Sequence, residues 1–415
     1  MKVSSGANVS MSKGKTVQSA QTVCMHVLGP ARTDVRVMRA ATALAKAGFQ
    51  VSVVDIERES TRPAEEEIRG VWVRHVIIPE WSVSSKSFDP RFLVRALVVL
   101  MRSIFLLLRT PADVYHAHDE TALPSCYVAA LLRRKPLIFD AHEVPSSSLK
   151  SAGAQGLKAR LKRLFLVVVP RCKAVITISP SIVEVFRQHY RCREVCLIRN
   201  VPEYHVVARS DRLRRYLHLD PDVRIALYQG NLQPDRGLDS LIRSAAFLEP
   251  NSMLVLMGRG IRDMQSQLEA LIASEGIAER VKIIPPVPYE ELLAWTASAD
   301  LGVIFYSPDY PEVQMYLPNK IFEYMMAGLP FLSSPVDAVA EVINTYDVGQ
   351  VLPSLAPVDI GATINALLAD RLALERMRRN ALEASRQDFS WEKESQRLVR
   401  LYHGIVGMPR AEVHQ

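Results

Sequence analysis

The feature that most constrains this chain is an alternation repeated twice: a short apolar run, a turn, a helix-spaced segment, and another apolar run. Gln21 to Gly29 (QTVCMHVLG) is such a run, Val35 to Gly48 has helical spacing, and Phe49 to Asp55 (FQVSVVD) is again a buried-type strand. The grammar recurs through Asp113–Ala117, Leu123–Leu132, Pro136–Asp140 and Ala174–Ile178. Strands that are apolar on both faces and joined by helices pack as a parallel, doubly wound sheet.

From Asn200 to Asp222 the pattern gives way to polar sequence without sustained periodicity, and a second series follows. Its strands are expected at Arg224–Tyr228, Met253–Met257, Val281–Ile284, Leu301–Phe305 and Pro330–Ser333. At 415 residues the chain exceeds what one compact core ordinarily holds, so the break is read as a domain connection. The expected division is a disordered tail over 1–20, one Rossmann-like domain over 21–205, a second over 206–385, and a C-terminal helix over 386–415 that packs back on the first domain. Two open sheets facing each other leave a central cleft, and ligands of such sheets bind beyond the carboxyl ends of the strands.

Composition narrows the class further. With 51 Lys and Arg against 44 Asp and Glu, the net charge of +7 favours anionic partners without naming one. Five cysteines, with no CxxC pair, indicate neither a disulfide framework nor a zinc ribbon, and a reducing cytoplasm is expected. The most apolar segment, Phe92 to Arg109, is interrupted by Arg95 and Arg102, so no transmembrane helix is expected. Arg91, Arg95, Arg102 and Arg109 instead put a cationic stripe on one side of an apolar helix, and Lys158, Arg160, Lys162 and Arg163 follow ahead of LFLVVV. That pattern reads either as a helix packed on the sheet with its arginines in water or as peripheral contact with an anionic membrane at its inner face.

Chemistry is sought in the loops after strands. After the first strand, Gly29 and Pro30 turn into a helix, which is either a plain turn or an approach for an anion to the helix N-terminus. DVYHAHDE and IFDAHEVP set His116, His118, Asp119, Asp140, His142 and Glu143 at two strand ends, a convergent polar cluster. No HExxH accompanies it, and no metal is expected. LYQGNLQPDRG brings Gly230 and then Arg236 to a helix start, where a cation opposes the helix dipole and calls for an anion; a diphosphate suits it. LMGRG places Gly258 directly after another strand. In NKIFEYMMAGLP, Lys320 and Glu323 lie three apart on one helix face: Lys320 can neutralise phosphate, and Glu323 can accept two hydrogen bonds from a ribose diol. Asp220-Pro221-Asp222 precedes a strand and reads as a turn.

Taken in order, these motifs resemble the family-4 retaining glycosyltransferases of the GT-B fold, from about Thr22 to Tyr402. The resemblance implies a C-terminal domain that binds a nucleoside diphosphate sugar and an N-terminal domain that binds a glycan, lipid-linked or small-molecule acceptor, with no further cofactor and no nucleic-acid partner. It assigns Arg236 to the diphosphate, Glu323 to the second glutamate of the EX7E motif, Gly29 to the loop near the phosphates and His142 to the acceptor strand end, with His118 and Asp119 beside it. Two positions depart: Met315 stands where EX7E has its first glutamate, and Asn231 where many members carry an arginine. Lys320 is the candidate replacement for that cation and Glu312 for the glutamate. The competing readings are a non-catalytic scaffold or partner subunit, and a nucleotide-sugar epimerase or a phosphorylase.

Overall fold

A computed structural model describes residues 20–58, 61–78, 90–142, 144, 164, 167–261, 263–307, 311–315 and 317–406. The calls on the tail 1–20 (apart from residue 20), on Lys158 to Arg163, and on the side chains of Arg91, Glu143 and Glu312 lie outside the described residues.

Fourteen strands among the described residues form two sheets. The first runs β3-β4-β2-β1-β5-β6-β7-β8 and is parallel except for β3. Its strands are β1 (Thr22–His26), β2 (Gln50–Glu57), β3 (Glu65–Ile68), β4 (Val71–Ile77), β5 (Val114–His118), β6 (Leu137–Ala141), β7 (Ala174–Thr177) and β8 (Val195–Leu197). The second, wholly parallel, runs β11-β10-β9-β12-β13-β14. It comprises β9 (Arg224–Gln229), β10 (Ser252–Met257), β11 (Val281–Ile284), β12 (Leu301–Ile304), β13 (Phe331–Ser333) and β14 (Gly349–Val351). Every residue of β5, β6, β7, β10 and β12 is buried, which is what helices on both faces require. The strand order reverses between β1 and β5 and again between β9 and β12, so each sheet has a switch point where a crevice opens.

The β3–β4 hairpin had no signal in the alternation. Arg69 (φ 54°) and Gly70 (φ 79°) turn β3 into β4 as a two-residue hairpin, the conformation that matches strand twist. Asp220 to Val223 forms a turn closed by the Val223 N–H donating to the Asp220 carbonyl at 3.1 Å.

The last helix, Trp391–Val406, returns to the first sheet. The Trp391 N–H donates to the Pro202 carbonyl (2.9 Å), Arg199 pairs with Glu394 (3.0 Å), and Gln21 donates to the Val406 carbonyl (2.9 Å). Tyr402 is fully buried, edge-on to Phe49 at 5.7 Å, with its hydroxyl 2.6 Å from His116 Nδ1. No described helix is long and apolar enough to cross a membrane.

Candidate active site

A cavity of about 730 Å³ lies between the two sheets, lined by His142 from the first and by Gly230, Arg236, Gly258, Lys320 and Glu323 from the second. The wall on the second sheet is built at the carboxyl ends of β9 and β10. Gly230 (φ 124°) turns the chain after β9, and a Cβ there would stand 3.4 Å from Lys320 Nζ. A Cβ on Gly258 would overlap the Gly230 carbonyl, so the two glycine loops touch backbone to backbone. Beyond them a turn of 3-10 helix, Pro234–Arg236, ends at Gly237 in the left-handed region, and the helix Leu238–Arg243 follows.

Two aromatic rings seat the two cations. The Arg236 guanidinium lies 4.3 Å from the Tyr306 ring centroid, and Lys320 Nζ lies 3.9 Å from that of Tyr228. Lys320 occupies the first turn of the helix Asn319–Met326, is buried, and its ammonium has no hydrogen-bond partner. Burial and the neighbouring Arg236 push its pKa well below the usual lysine value, against the pull of Glu323 and Asp235. A buried cation without a partner, beside a second cation in a cavity, is a site prepared for an anion.

Glu323 is half-buried on the same helix and forms no ion pair with Lys320. Burial pushes its carboxyl up, while the Gln229 amide, Lys320 and Arg39 draw it down. Gln229 Nε2 donates to Glu323 Oε2 at 2.5 Å, and Thr296 Oγ1 donates to Gln229 Oε1 at 2.7 Å. This fixes the amide so that its NH₂ faces the carboxylate. Gln229, Tyr228 and Tyr306 were not singled out from sequence; Gln229 and Tyr228 carried a signal, since they stand at a strand end directly before the glycine turn.

On the first sheet, the residues after β5 and β6 separate into a wall and a support. His142 is on the wall, its Nδ1 3.1 Å from Asp119 Oδ1 and its Nε2 3.6 Å from Asp140 Oδ2. Asp119 opens the helix Asp119–Arg133 with a φ of 63°. His118, expected at the reacting centre, is instead fully buried and does not line the cavity. It stacks on His116 (4.2 Å between ring centroids), and its Nδ1 lies 3.2 Å from Asp140 Oδ2. Burial and the adjacent His116 push its pKa to about 3, so the ring is neutral. Asp140 is the hub: burial raises its carboxyl, but the Arg36 guanidinium and three histidines hold it well below the carboxylate range. Arg36 Nε donates to Asp140 Oδ2 at 2.8 Å, and Arg36 Nη2 binds Oδ1.

His116, His118 and Asp140 offer ligand atoms within 4.8 Å of one another, the spacing of a metal cage. A divalent ion there would have to face the Arg36 guanidinium that already holds both Asp140 oxygens, and the cluster is therefore a poor fit to a metal. Gly29 follows β1 with open space around it and is not part of the cavity wall. Met315 is tied across the cleft: Ser179 Oγ, at the start of the helix Pro180–Gln188, donates to its carbonyl at 2.7 Å. Asn231 lines the cavity.

Comparison with known proteins covers both halves. Residues 33–201 match the family described as Glycosyltransferase Family 4, and residues 210–384 match Glycosyl transferases group 1. D-inositol 3-phosphate glycosyltransferase of Nocardia farcinica is 25% identical over 396 residues, covering 90% of this chain and 84% of its own. An uncharacterised glycosyltransferase of Methanocaldococcus jannaschii is also 25% identical, covering 87% and 91%. Among solved structures, sucrose-phosphate synthase of Thermosynechococcus elongatus superposes with a TM-score of 0.73 at 18% identity, over 92% of this chain and 98% of that one. HepE of Anabaena, solved with UDP and glucose, gives 0.73 at 16% identity, over 92% and 100%.

Proposed function

The chain belongs to the family-4-like glycosyltransferases of the GT-B fold, and from that premise we propose that it moves a sugar from a nucleoside diphosphate to an acceptor hydroxyl with retention at the anomeric carbon. The observation that carries the proposal is the unpartnered, buried Lys320 ammonium set beside Arg236 and Glu323, with His142 across the same cavity. UDP is the first nucleotide to test, because HepE was solved with it.

In this reading the diphosphate lies against the Gly230 and Gly258 loops, its oxygens meeting Arg236 and Lys320, while Glu323, held by Gln229, accepts from the two ribose hydroxyls. The bond from the anomeric carbon to the phosphate oxygen breaks, and the two cations stabilise the charge that develops on the leaving phosphate, with no divalent ion in that role. The acceptor oxygen bonds to the anomeric carbon on the same face, and its proton passes to a phosphate oxygen. His142, braced by Asp119 and Asp140, orients the acceptor, a glycan, a lipid-linked sugar or a small molecule. Closure of the two domains excludes water, which would otherwise hydrolyse the activated donor. The scaffold and epimerase readings draw no support from relatives that are named as transferases.

Calorimetric titration with UDP, GDP, ADP and dTDP, followed by NMR of the product made from the matching sugar nucleotide, tests the proposal. One diphosphate should bind to wild type and be lost in Glu323→Ala, and the product should keep the donor's anomeric configuration. Absence of binding by every diphosphate would end the donor-site assignment, and an inverted product would end retention.

A further inference from the structure

A second cavity, of about 930 Å³, opens at the amino ends of the first sheet's strands, away from the active site. It is lined by Leu137, which begins β6, by Lys173 and Glu194, which immediately precede β7 and β8, and by the last helix. The strands are parallel, so this end is the opposite one from His142, which follows β6. Its floor is apolar, with Tyr127, Leu401 and Ile405 beside Leu137. Its rim is cationic: Arg134, Lys135, Arg171, Lys173, Arg193 and Arg400 stand against the single carboxylate of Glu194. Among the described residues only Lys135 of these six has a carboxylate partner, Asp113 at 2.9 Å. Like charges gathered in a concavity focus a positive potential into it.

Exposed hydrocarbon runs up to the same rim. On the helix Pro90–Arg109, Val94 (55% exposed), Leu97 (57%), Met101 (57%) and Phe105 (56%) are three, four and four residues apart and share one face. Leu131 and Leu132, each 64% exposed, continue the apolar surface on the neighbouring helix Asp119–Arg133. The Arg133 guanidinium donates to the Leu108 carbonyl and ties the ends of the two helices together. Arg102 and Arg109 border the stripe, Arg109 lying 4.2 Å over the Phe105 ring. Four large apolar side chains in a row on one helix are more than the scattered exposure that soluble surfaces show.

We propose that this flank docks the protein on an anionic phospholipid bilayer, the cavity receiving a headgroup phosphate and the stripe entering the acyl boundary. A soluble polyanion would use the cations and leave the stripe in water, and an apolar protein partner would leave the cations unanswered. An anionic bilayer answers both, as it does for amphipathic helices with a basic border. The inference is independent of the donor site, which is built on the second sheet and faces the carboxyl ends of the first sheet's strands, away from this cavity.

Flotation of the full chain with vesicles at low salt tests it. Wild type should float with vesicles of phosphatidylglycerol mixed into phosphatidylcholine and stay behind with phosphatidylcholine alone. A basic residue near an anionic surface is worth about five-fold in partition, so Arg134→Ser combined with Arg400→Ser should lower binding about twenty-five-fold. Leu97→Ser with Met101→Ser should also lose binding. All four positions are exposed, so circular dichroism and nucleotide binding should be unchanged in both variants. Wild type that ignores anionic vesicles, or variants that float as wild type does, would overturn the proposal. Saturable binding of free glycerol phosphate without vesicle binding would also overturn it, by making the cavity a site for a soluble phosphate.

Discussion

Replacing Lys320 with Met should move stability and ligand affinity in opposite directions. Lys320 Nζ is buried with no hydrogen-bond partner, and such a group costs about 1–3 kcal/mol of folding free energy. Methionine keeps the length of the side chain and its contact with the Tyr228 ring while removing the polar atom, so Lys320→Met should recover part of that cost. For a domain of 150–250 residues each kcal/mol is worth about 2–4 °C of melting temperature, so the ligand-free variant should melt roughly 2–10 °C above wild type. Diphosphate binding should weaken, because a hydrogen bond to a charged group contributes about 1.5–3 kcal/mol, or roughly ten- to 150-fold in Kd. The pH dependence gives an independent sign. The folded-state pKa of Lys320 is depressed, so between that value and the ordinary lysine value the unfolded chain binds more protons, and wild-type stability rises with pH across this window. Lys320→Met should lose that slope. An anion that draws the proton back makes wild-type diphosphate binding proton-consuming, so affinity falls as pH rises through the same window. Scanning calorimetry with and without nucleotide, and titration in buffers of differing ionisation enthalpy, read all of this. A lower melting temperature for ligand-free Lys320→Met, together with unchanged nucleotide affinity, would show Lys320 to be a structural cation and would refute the reasoning.

Three further outcomes follow from the geometry. Gln229→Ala should weaken nucleotide binding by less than Glu323→Ala does, about 1 kcal/mol, because it only frees the carboxylate to rotate; equal losses in titration would show that Gln229 touches the ligand itself. Gly258→Ala should lower the melting temperature and abolish nucleotide binding together, since its Cβ must displace the Gly230 loop, and a soluble variant with wild-type affinity would contradict the packing described. Tyr402→Phe should destabilise the protein by about 1–3 kcal/mol in urea unfolding, through the buried His116 Nδ1 left without its partner, while leaving nucleotide affinity unchanged.

What was legible in the sequence was local. Apolar runs of five to eight residues between helical segments mark β1, β2, β5, β6 and β10, because parallel strands are buried on both faces and so carry no polar alternation to confuse the pattern. Lys320 and Glu323 were readable because one helix turn brings them together. The β3–β4 hairpin was missed because Glu65, Glu66 and Glu67 are poor strand formers, held there by pairing with Trp72, Val73 and Arg74. β8 and β14 are three residues long and lack the Gly328 and Pro330 break that marks the start of the equally short β13. The Arg36–Asp140 pair joins residues 104 apart in sequence, and the Tyr402–His116 contact joins residues 286 apart. Nothing local announces either partner, nor that His118 is buried by stacking on His116 and by its contact with Asp140 from the neighbouring strand.

The return of the last helix has a consequence for biosynthesis. Tyr402 fills the first sheet's interior against Phe49 and His116, so the amino-terminal half cannot complete its core while it is the only half that has been made. Until the ribosome has delivered the final helix, that half waits with an apolar seam open, and the domain synthesised first becomes the last to be sealed.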